Sequence, residues 1–182
     1  PEIKRVIEKS CVFPKDIVIK YKKEKSLYKL NMIDVYSNEI VPVDIVMYNN
    51  LKCDTVLKRK RPKYYIIDSS LDIVIDKLEI LGLDIDTLKY DELLNVESYK
   101  IISEKKSPIL FQGFYPNIVK TSIISEEKLF KKGTFVIPMD QRRSNIAVET
   151  LEPEMLSGFL RFNVIKPNDI SKIHRYLLNK EL

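Results

Sequence analysis

The pattern of apolar and polar residues predicts short strands and helices, most clearly in residues 133–163. Thr134–Ile137 is a run of β-favouring residues, and Pro138 ends it because proline has no N–H for a strand ladder. Asp140 is placed to cap a short helix, and Pro153 then stops that helix. The inward side of the helix would be Ile146, Ala147 and Leu151. The stretch therefore predicts a strand, a turn, a short helix, a second turn and another strand.

A strand–helix–strand unit is predicted at about residues 64–88. Tyr64–Ile67 is a short apolar strand, and Ser69 can cap a helix with Asp72 as its capping-box partner. Gly82 stands where a helix ends in a left-handed conformation, and a second strand follows it. Apolar residues recur at helical spacing through this segment, at Leu71, Val74, Ile75, Leu78 and Leu81. Short connections of this kind imply a parallel pair of strands with a right-handed crossover.

The rest of the chain predicts further strands. Residues 27–36 and 40–48 are two extended runs, and Ser37-Asn38 between them indicates a hairpin. Residues 96–102 and 118–124 predict two more strands. We therefore expect an α+β fold, a strand-rich mixed sheet with one βαβ unit and a few short helices.

The composition is that of a globular domain with a modest basic excess. Hydrophobic residues make up 45% and charged residues 31%, and the net charge is +5. The dense basic run Lys58–Arg61 is interpreted as a solvated edge before a strand, with a nucleic-acid contact as the less favoured alternative. No apolar stretch approaches the length of a membrane helix. We expect neither a nucleic acid nor a membrane as a partner.

The inventory of reactive residues argues against a self-sufficient enzyme. His174 is the sole histidine, so no multi-histidine zinc site can form, and we expect a structural or exposed role for it. Glu149, Glu152 and Glu154 are close in sequence, and we expect a solvated edge or a helix cap rather than a catalytic pair. Cys11 and Cys53 could pair with each other, but neither has a metal-ligand spacing, and a reduced, half-buried thiol is the expected state for each.

Two sets of motifs stand in an order that is typical of one family. The motifs are Arg61–Ile67, Val74–Leu78, Leu81-Gly82-Leu83, Gly133–Pro138, Gln141, Leu151–Glu154, Phe162-Asn163 and Ile173–Tyr176. They resemble the region downstream of the catalytic domain in bacterial zinc carboxypeptidases of the carboxypeptidase A type. The resemblance covers about residues 58–177, and Arg142-Arg143-Ser144 departs from the Pro-Leu-Ala usual in the family.

The resemblance implies a non-catalytic C-terminal accessory domain of a zinc metallocarboxypeptidase-like protein. Zinc and the catalytic residues would belong to an upstream peptidase domain in the same polypeptide, because the family's metal ligands match no position here. Residues 1–57 would form a strand-rich segment leading to it, and residues 58–182 a β-rich domain in one compact unit with them. The domain would pack on the peptidase and limit which peptides reach it. The candidate interface or rim contacts are Gln141, Arg142, Arg143 and Arg175.

An aromatic loop supplies an alternative function. Phe111, Phe114 and Tyr115 lie close together in a predicted loop. A free-standing module could use them as a platform for a polymer such as cell-wall glycan, whereas capping the end of a sheet is the favoured interpretation. The sequence indicates no cellular compartment.

Overall fold

The computed structural model describes residues 5–6 and 16–177. Within this part of the chain, residues 18–58 form one compact unit and residues 59–177 belong to a second. Strands account for 51% and helices for 15% of the structure, so the protein is mostly β. The predicted α+β class is therefore wrong.

The first unit is built on a long two-stranded hairpin. Strands β1 (Asp16–Ile33) and β2 (Ile40–Lys60) pair with each other. The turn is held by Asp34, whose Oδ1 accepts a hydrogen bond from the Tyr36 N–H at 2.8 Å. Asn38 has a φ of 55°, a left-handed conformation that asparagine tolerates. The hairpin predicted around Ser37-Asn38 is confirmed.

The second unit is a six-stranded sheet with two short α-helices. Its strands are β3 (Tyr64–Ile67), β4 (Asp86–Thr87), β5 (Glu92–Lys106), β6 (Asn117–Phe130), β7 (Phe135–Pro138) and β8 (Ile173–Tyr176). The order across the sheet is β4-β7-β3-β8-β5-β6. Every neighbouring pair is antiparallel. The helices are α1 (Asp72–Ile80) and α2 (Ser144–Leu151), and a 3-10 helix spans Pro167–Lys172.

The predicted βαβ unit is replaced by a different arrangement. Strand β3 precedes α1 in the sequence and β4 follows it, and the two strands run in the same direction. In the sheet, however, β7 lies between them and is antiparallel to both. Phe135 of β7 pairs with Ile67 on one side and with Thr87 on the other. A parallel pair therefore does not form, because a strand from much later in the sequence occupies the position beside β3.

Helix α1 ends as predicted but begins differently. Gly82 has a φ of 81°, and Leu83 N–H donates to the Leu78 carbonyl at 3.1 Å, which completes a Schellman cap. At the other end the N-cap is Leu71 and no side chain caps the helix. The predicted cap at Ser69 is therefore wrong, and Asp68 instead accepts the Ser70 N–H at 2.9 Å.

Helix α2 leads into turns rather than into another strand. Arg143 is its N-cap and makes no side-chain cap, so the predicted cap at Asp140 is wrong. Pro153 ends the helix as predicted, because the residue before a proline is kept out of the helical region, and Glu152 has φ −73° and ψ 124°. Residues 155–163 form turns and carry no strand, so the last strand of the predicted pattern is wrong.

Consecutive residues of β8 point to opposite faces of the sheet. His174 pairs with Ile66 and Ser98, whereas Arg175 pairs with Tyr65 and Glu97. The His174 face includes a core cluster of Ile66, Val96 and Phe130. The other face carries a set of buried charges. The sheet therefore presents two chemically different environments, one on each side.

Candidate functional site

A buried ionic cluster lies on the Arg175 face of the sheet, and Glu152 is its centre. The Glu152 side chain has no exposed surface. Its Oε2 accepts a hydrogen bond from Arg59 Nη1 at 2.7 Å, and its Oε1 accepts one from the Tyr65 hydroxyl at 2.8 Å. Arg175 Nε lies 3.1 Å from the same Oε1 as an ion pair. Both carboxylate oxygens are thus used inside the fold.

Arg59 joins this carboxylate to a second one. Its Nη1 and Nη2 donate to the two oxygens of Glu154 at 2.7 and 3.0 Å. Thr121 accepts from Arg59 Nη2 through its hydroxyl oxygen at 2.8 Å, and it donates to Glu154 through its backbone N–H and its hydroxyl. The Arg59 guanidinium also lies 5.4 Å from the centre of the Tyr99 ring, within cation–π distance.

Arg175, a predicted rim contact, lies inside the protein. It is only 1% exposed, and its Nη1 donates to Glu97 Oε2 at 2.6 Å. Its Nη2 donates to the Lys60 carbonyl. The ionic cluster therefore consists of Arg59, Glu97, Glu152, Glu154 and Arg175, and its arginines are not available at the surface of this chain.

Burial and ion pairing together shift the pKa values of the groups in the ionic cluster. Burial alone would lower the pKa of Arg59, but the hydrogen bond to Glu154 and the charge of Glu152 raise that pKa above its ordinary value. Burial would also lower the pKa of Arg175, but the electrostatic interactions with Tyr99 and Glu152 raise that pKa above its ordinary value. Burial raises the pKa of Tyr65, which keeps its hydroxyl a donor to Glu152. The ionic cluster cross-links distant segments, but two buried atoms in or beside it, Arg175 Nε and the Tyr99 hydroxyl, make no hydrogen bond to any described residue.

The predicted rim turn lies at residues 141–143. Gln141 Nε2 donates to the carbonyls of Asp84 and Pro138 at 2.9 and 2.8 Å, and its Oε1 accepts from the Asp84 N–H at 2.8 Å. Arg143 Nη1 donates to the Leu81 carbonyl at 3.0 Å, at the end of α1. Arg142 is exposed. Gln141 and Arg143 thus fix the turn, and Arg142 projects from it.

The predicted aromatic loop is a tight turn that packs on Phe162. Phe111 and Phe114 exchange backbone hydrogen bonds across two residues with positive φ, of which Gly113 is one. The rings of Phe111 and Phe114 lie 5.9 and 5.4 Å from the Phe162 ring. Phe111 is 49% and Tyr115 53% exposed. The structure therefore brings Phe111 and Phe114 together on Phe162, and it leaves Phe111 and Tyr115 half in solvent.

A chain of polar contacts runs across the opposite face of the sheet. His174, only 1% exposed, has its Nδ1 2.7 Å from the Ser98 hydroxyl and its Nε2 3.2 Å from Lys128 Nζ. The Ser98 hydroxyl in turn donates to Glu126 Oε1. Burial, followed by the nearby Lys128 charge, lowers the pKa of His174 to about 4. The imidazole is therefore neutral at pH 7.

The contacts also fix which imidazole nitrogen carries the proton. An ammonium can only donate, so Nε2 must accept from Lys128, and the proton stays on Nδ1. Nδ1 then donates to the Ser98 oxygen, and the serine proton points to Glu126. His174 cannot act as the base for Ser98 in this arrangement. The pair does not form an activated nucleophile of the kind that acyl-transfer enzymes use.

An open groove of about 510 Å³ lies above these contacts. Ser98, Glu126 and Lys128 line it from the strands, and Ile170 lines it from the 3-10 helix. Ile124 adds an apolar wall and is 43% exposed. Lys100 adds a second cation to the lining. The groove thus combines one anion, Glu126, with two lysines and an apolar surface.

Other predicted features also have a place in the structure. Within residues 16–177, no group of three His, Cys, Asp or Glu side chains could hold a metal ion, so these residues do not fit a zinc site. Cys53 is exposed, whereas Cys11 lies outside the described residues. Arg61 donates to Ser144 Oγ at 2.6 Å. Of the helices that the structure describes, none is long and apolar enough to cross a membrane.

Sequence reasoning missed the ionic cluster. Arg59 was expected in a solvated basic edge and Glu152 in a solvated acidic one, but both are buried and paired across 93 positions of sequence. One signal was available. Pro153 forces Glu152 into an extended conformation directly after an apolar helix, so the glutamate cannot continue along the helix surface.

Comparisons with known proteins relate the chain to fungal carboxypeptidases. Carboxypeptidase 2 of Trichophyton rubrum is 26% identical over 169 residues, which cover 91% of this chain and 31% of that protein. Carboxypeptidase 2 of Trichophyton equinum is 27% identical over 68% of this chain and 23% of its own length. The probable carboxypeptidase 2 of Trichophyton verrucosum is 23% identical over 86% of this chain and 30% of its own. The chain is thus similar, at low identity, to a region of these fungal carboxypeptidases.

These relatives support only part of what the resemblance implied. The chain spans less than a third of their length, and they are fungal, so a bacterial origin and a C-terminal position stay predictions. No family model matches the chain. No solved structure matches it significantly either.

Proposed function

We propose that this chain is a non-catalytic accessory region of a zinc metallocarboxypeptidase-like protein. It packs on the peptidase domain of the same polypeptide and limits which peptides reach the active site. The proposal rests on one observation: homology to Carboxypeptidase 2 covers 91% of this chain but 31% of the relative, which leaves most of the relative's length for a catalytic domain.

The exposed surface of the hairpin supports a packing role. A two-stranded hairpin is at best marginally stable in water by itself, so a partner that packs on it would stabilise it. Several of its large apolar residues are exposed. The side chains of Leu27 and Tyr36 are 81% and 97% exposed, and those of Val35 and Ile40 are 80% and 70% exposed. We assign the peptidase domain as the partner that covers these residues.

The turn at residues 141–143 of the second unit is a separate candidate contact with the peptidase domain. Arg142 is exposed on a turn that Gln141 and Arg143 hold in place. Because the turn is already fixed, little backbone entropy is lost when Arg142 binds a partner. Arg142 is thus the residue of this turn best placed to meet the peptidase domain or an approaching peptide.

Binding between separately produced parts of the longer protein tests the packing proposal. Residues 1–182 are titrated calorimetrically with the remaining polypeptide, and we expect saturable binding. Leu27→Lys and Arg142→Glu should each weaken it, whereas Lys105→Glu, an exposed control on β5, should not. The proposal fails if the parts do not bind or if the remaining polypeptide contains no peptidase domain.

A further inference from the structure

The groove above His174 holds two opposite charges apart. Lys128 and Glu126 lie two positions apart on β6, so both point to the same face of the sheet. They nevertheless do not pair with each other. Lys128 Nζ contacts the neutral His174 ring, and Glu126 accepts the Ser98 hydroxyl. Each charge is thus positioned by an uncharged partner.

Of these two charged groups, the Lys128 ammonium is the one that lacks a close partner of opposite charge. Among the described residues, no carboxylate forms an ion pair with its Nζ within 4 Å. Its Nζ also lies 5.9 Å from the centre of the Phe130 ring, and its charge acts on the Asp68 carboxylate from beyond ion-pair distance. A half-buried cation next to an imidazole that stays neutral attracts an anion that approaches from the groove.

The apolar wall lies beside the charged pair. Ile124 is the next residue on the same face of β6, and Ile170 of the 3-10 helix lies across the groove from the strands. A volume of about 510 Å³ is within the range of small-molecule sites. The groove therefore complements a molecule with adjacent positive and negative groups and a short apolar part.

We propose that this groove binds a free α-amino acid with an apolar side chain. The α-carboxylate pairs with Lys128, the α-ammonium pairs with Glu126, and the side chain lies against Ile124 and Ile170. This site goes beyond the proposed accessory function, and it does not depend on it, because every residue involved belongs to this chain.

The sole histidine provides a selective reporter for the test. The 182 residues of this chain include one histidine, so a carbon–proton correlation spectrum of labelled histidine contains one ring system. We expect L-leucine at tens of millimolar to shift the His174 signals saturably. N-acetyl-L-leucine lacks the ammonium and L-leucinamide lacks the carboxylate, so each should bind about tenfold or more weakly. Glycine, which has no side chain to meet the apolar wall, should also bind more weakly.

Variants identify the charges that bind the ligand. Lys128→Met and Glu126→Gln should each abolish the saturable shift with L-leucine. Glu127→Gln is the matched control, because Glu127 is exposed and points to the other face of β6, and it should leave the titration unchanged. A flat titration with L-leucine, equal responses to leucine and its two blocked forms, or unchanged binding in Lys128→Met would overturn the proposal.

Discussion

Replacing Glu152 by glutamine tests the view that the ionic cluster stabilises the fold and does no chemistry. Glutamine keeps the shape of the side chain but removes the negative charge between Arg59 and Arg175. The contacts affected are those of Arg59 Nη1 at 2.7 Å and Arg175 Nε at 3.1 Å. Both guanidinium groups are almost completely buried, at 4% and 1% side-chain exposure, so solvent can do little to compensate.

The expected loss of stability follows from this burial. Breaking a buried ion pair by removing one partner costs about 3–5 kcal/mol, because the remaining charge stays desolvated. Glu154 and Glu97 still pair with the arginines, and Tyr65 can still donate to the amide oxygen, so we expect the lower half of that range. At a urea m-value of about 2 kcal/mol/M, the midpoint should fall by about 1.5–2 M.

Urea unfolding followed by far-UV circular dichroism measures this change, since the chain contains no tryptophan. Glu149→Gln is the matched control. Glu149 lies three residues earlier and is exposed on α2, where a surface substitution changes stability by less than about 0.5 kcal/mol. Equal midpoints for the two variants would refute the structural role of the ionic cluster.

Two further predictions concern the cap of α1 and the buried histidine. A Cβ at Gly82 would lie 1.6 Å from Arg143 Nη1, and Gly82 has a φ of 81°, so Gly82→Ala should cost about 1–3 kcal/mol in thermal unfolding. In an Arg143→Ala variant, Gly82→Ala should cost only the free energy of the strained backbone, about 1 kcal/mol. If Gly82→Ala costs the same with and without Arg143, the clash with the Arg143 side chain is not the cause. The pKa of His174 is lowered from 6.5 to about 4, so between these values the unfolded chain binds a proton that the folded chain does not. The free energy of unfolding should therefore fall by up to about 3 kcal/mol as the pH drops from 6.5 to 4. The urea midpoint of His174→Gln should lack that part of the pH dependence. If the midpoints of the variant and the wild type fall equally with pH, the prediction is wrong.

Local features of the fold were predictable from the sequence. The glycine cap at Gly82, the helix stop at Pro153 and the hairpin turn near Asn38 depend on the backbone preferences of one or two residues. The sheet order was not predictable in this way. Strand β7 separates β3 from β4, and that pairing joins residues about seventy positions apart, so no local pattern encodes it.

The same distinction applies to the candidate sites. Arg59 was expected in a solvated edge and Arg175 at an interface or rim. Both are buried, because Glu152, Glu154 and Glu97 reach them from other parts of the chain. The polar contacts of His174 depend on Ser98 and Lys128, 76 and 46 positions away. In contrast, the turn at Gln141 and the aromatic loop were recognisable, because their residues are neighbours in sequence.

The release of C-terminal residues from peptides of graded length tests the central claim most directly. The longer protein is compared with a form that lacks residues 59–182, with folding of both checked by circular dichroism. If this chain is an accessory region that limits access, the intact protein should cleave short peptides and discriminate against long or folded ones, and the truncated form should lose that discrimination. Identical cleavage of every substrate by both folded forms, or cleavage by residues 1–182 alone, would contradict the account.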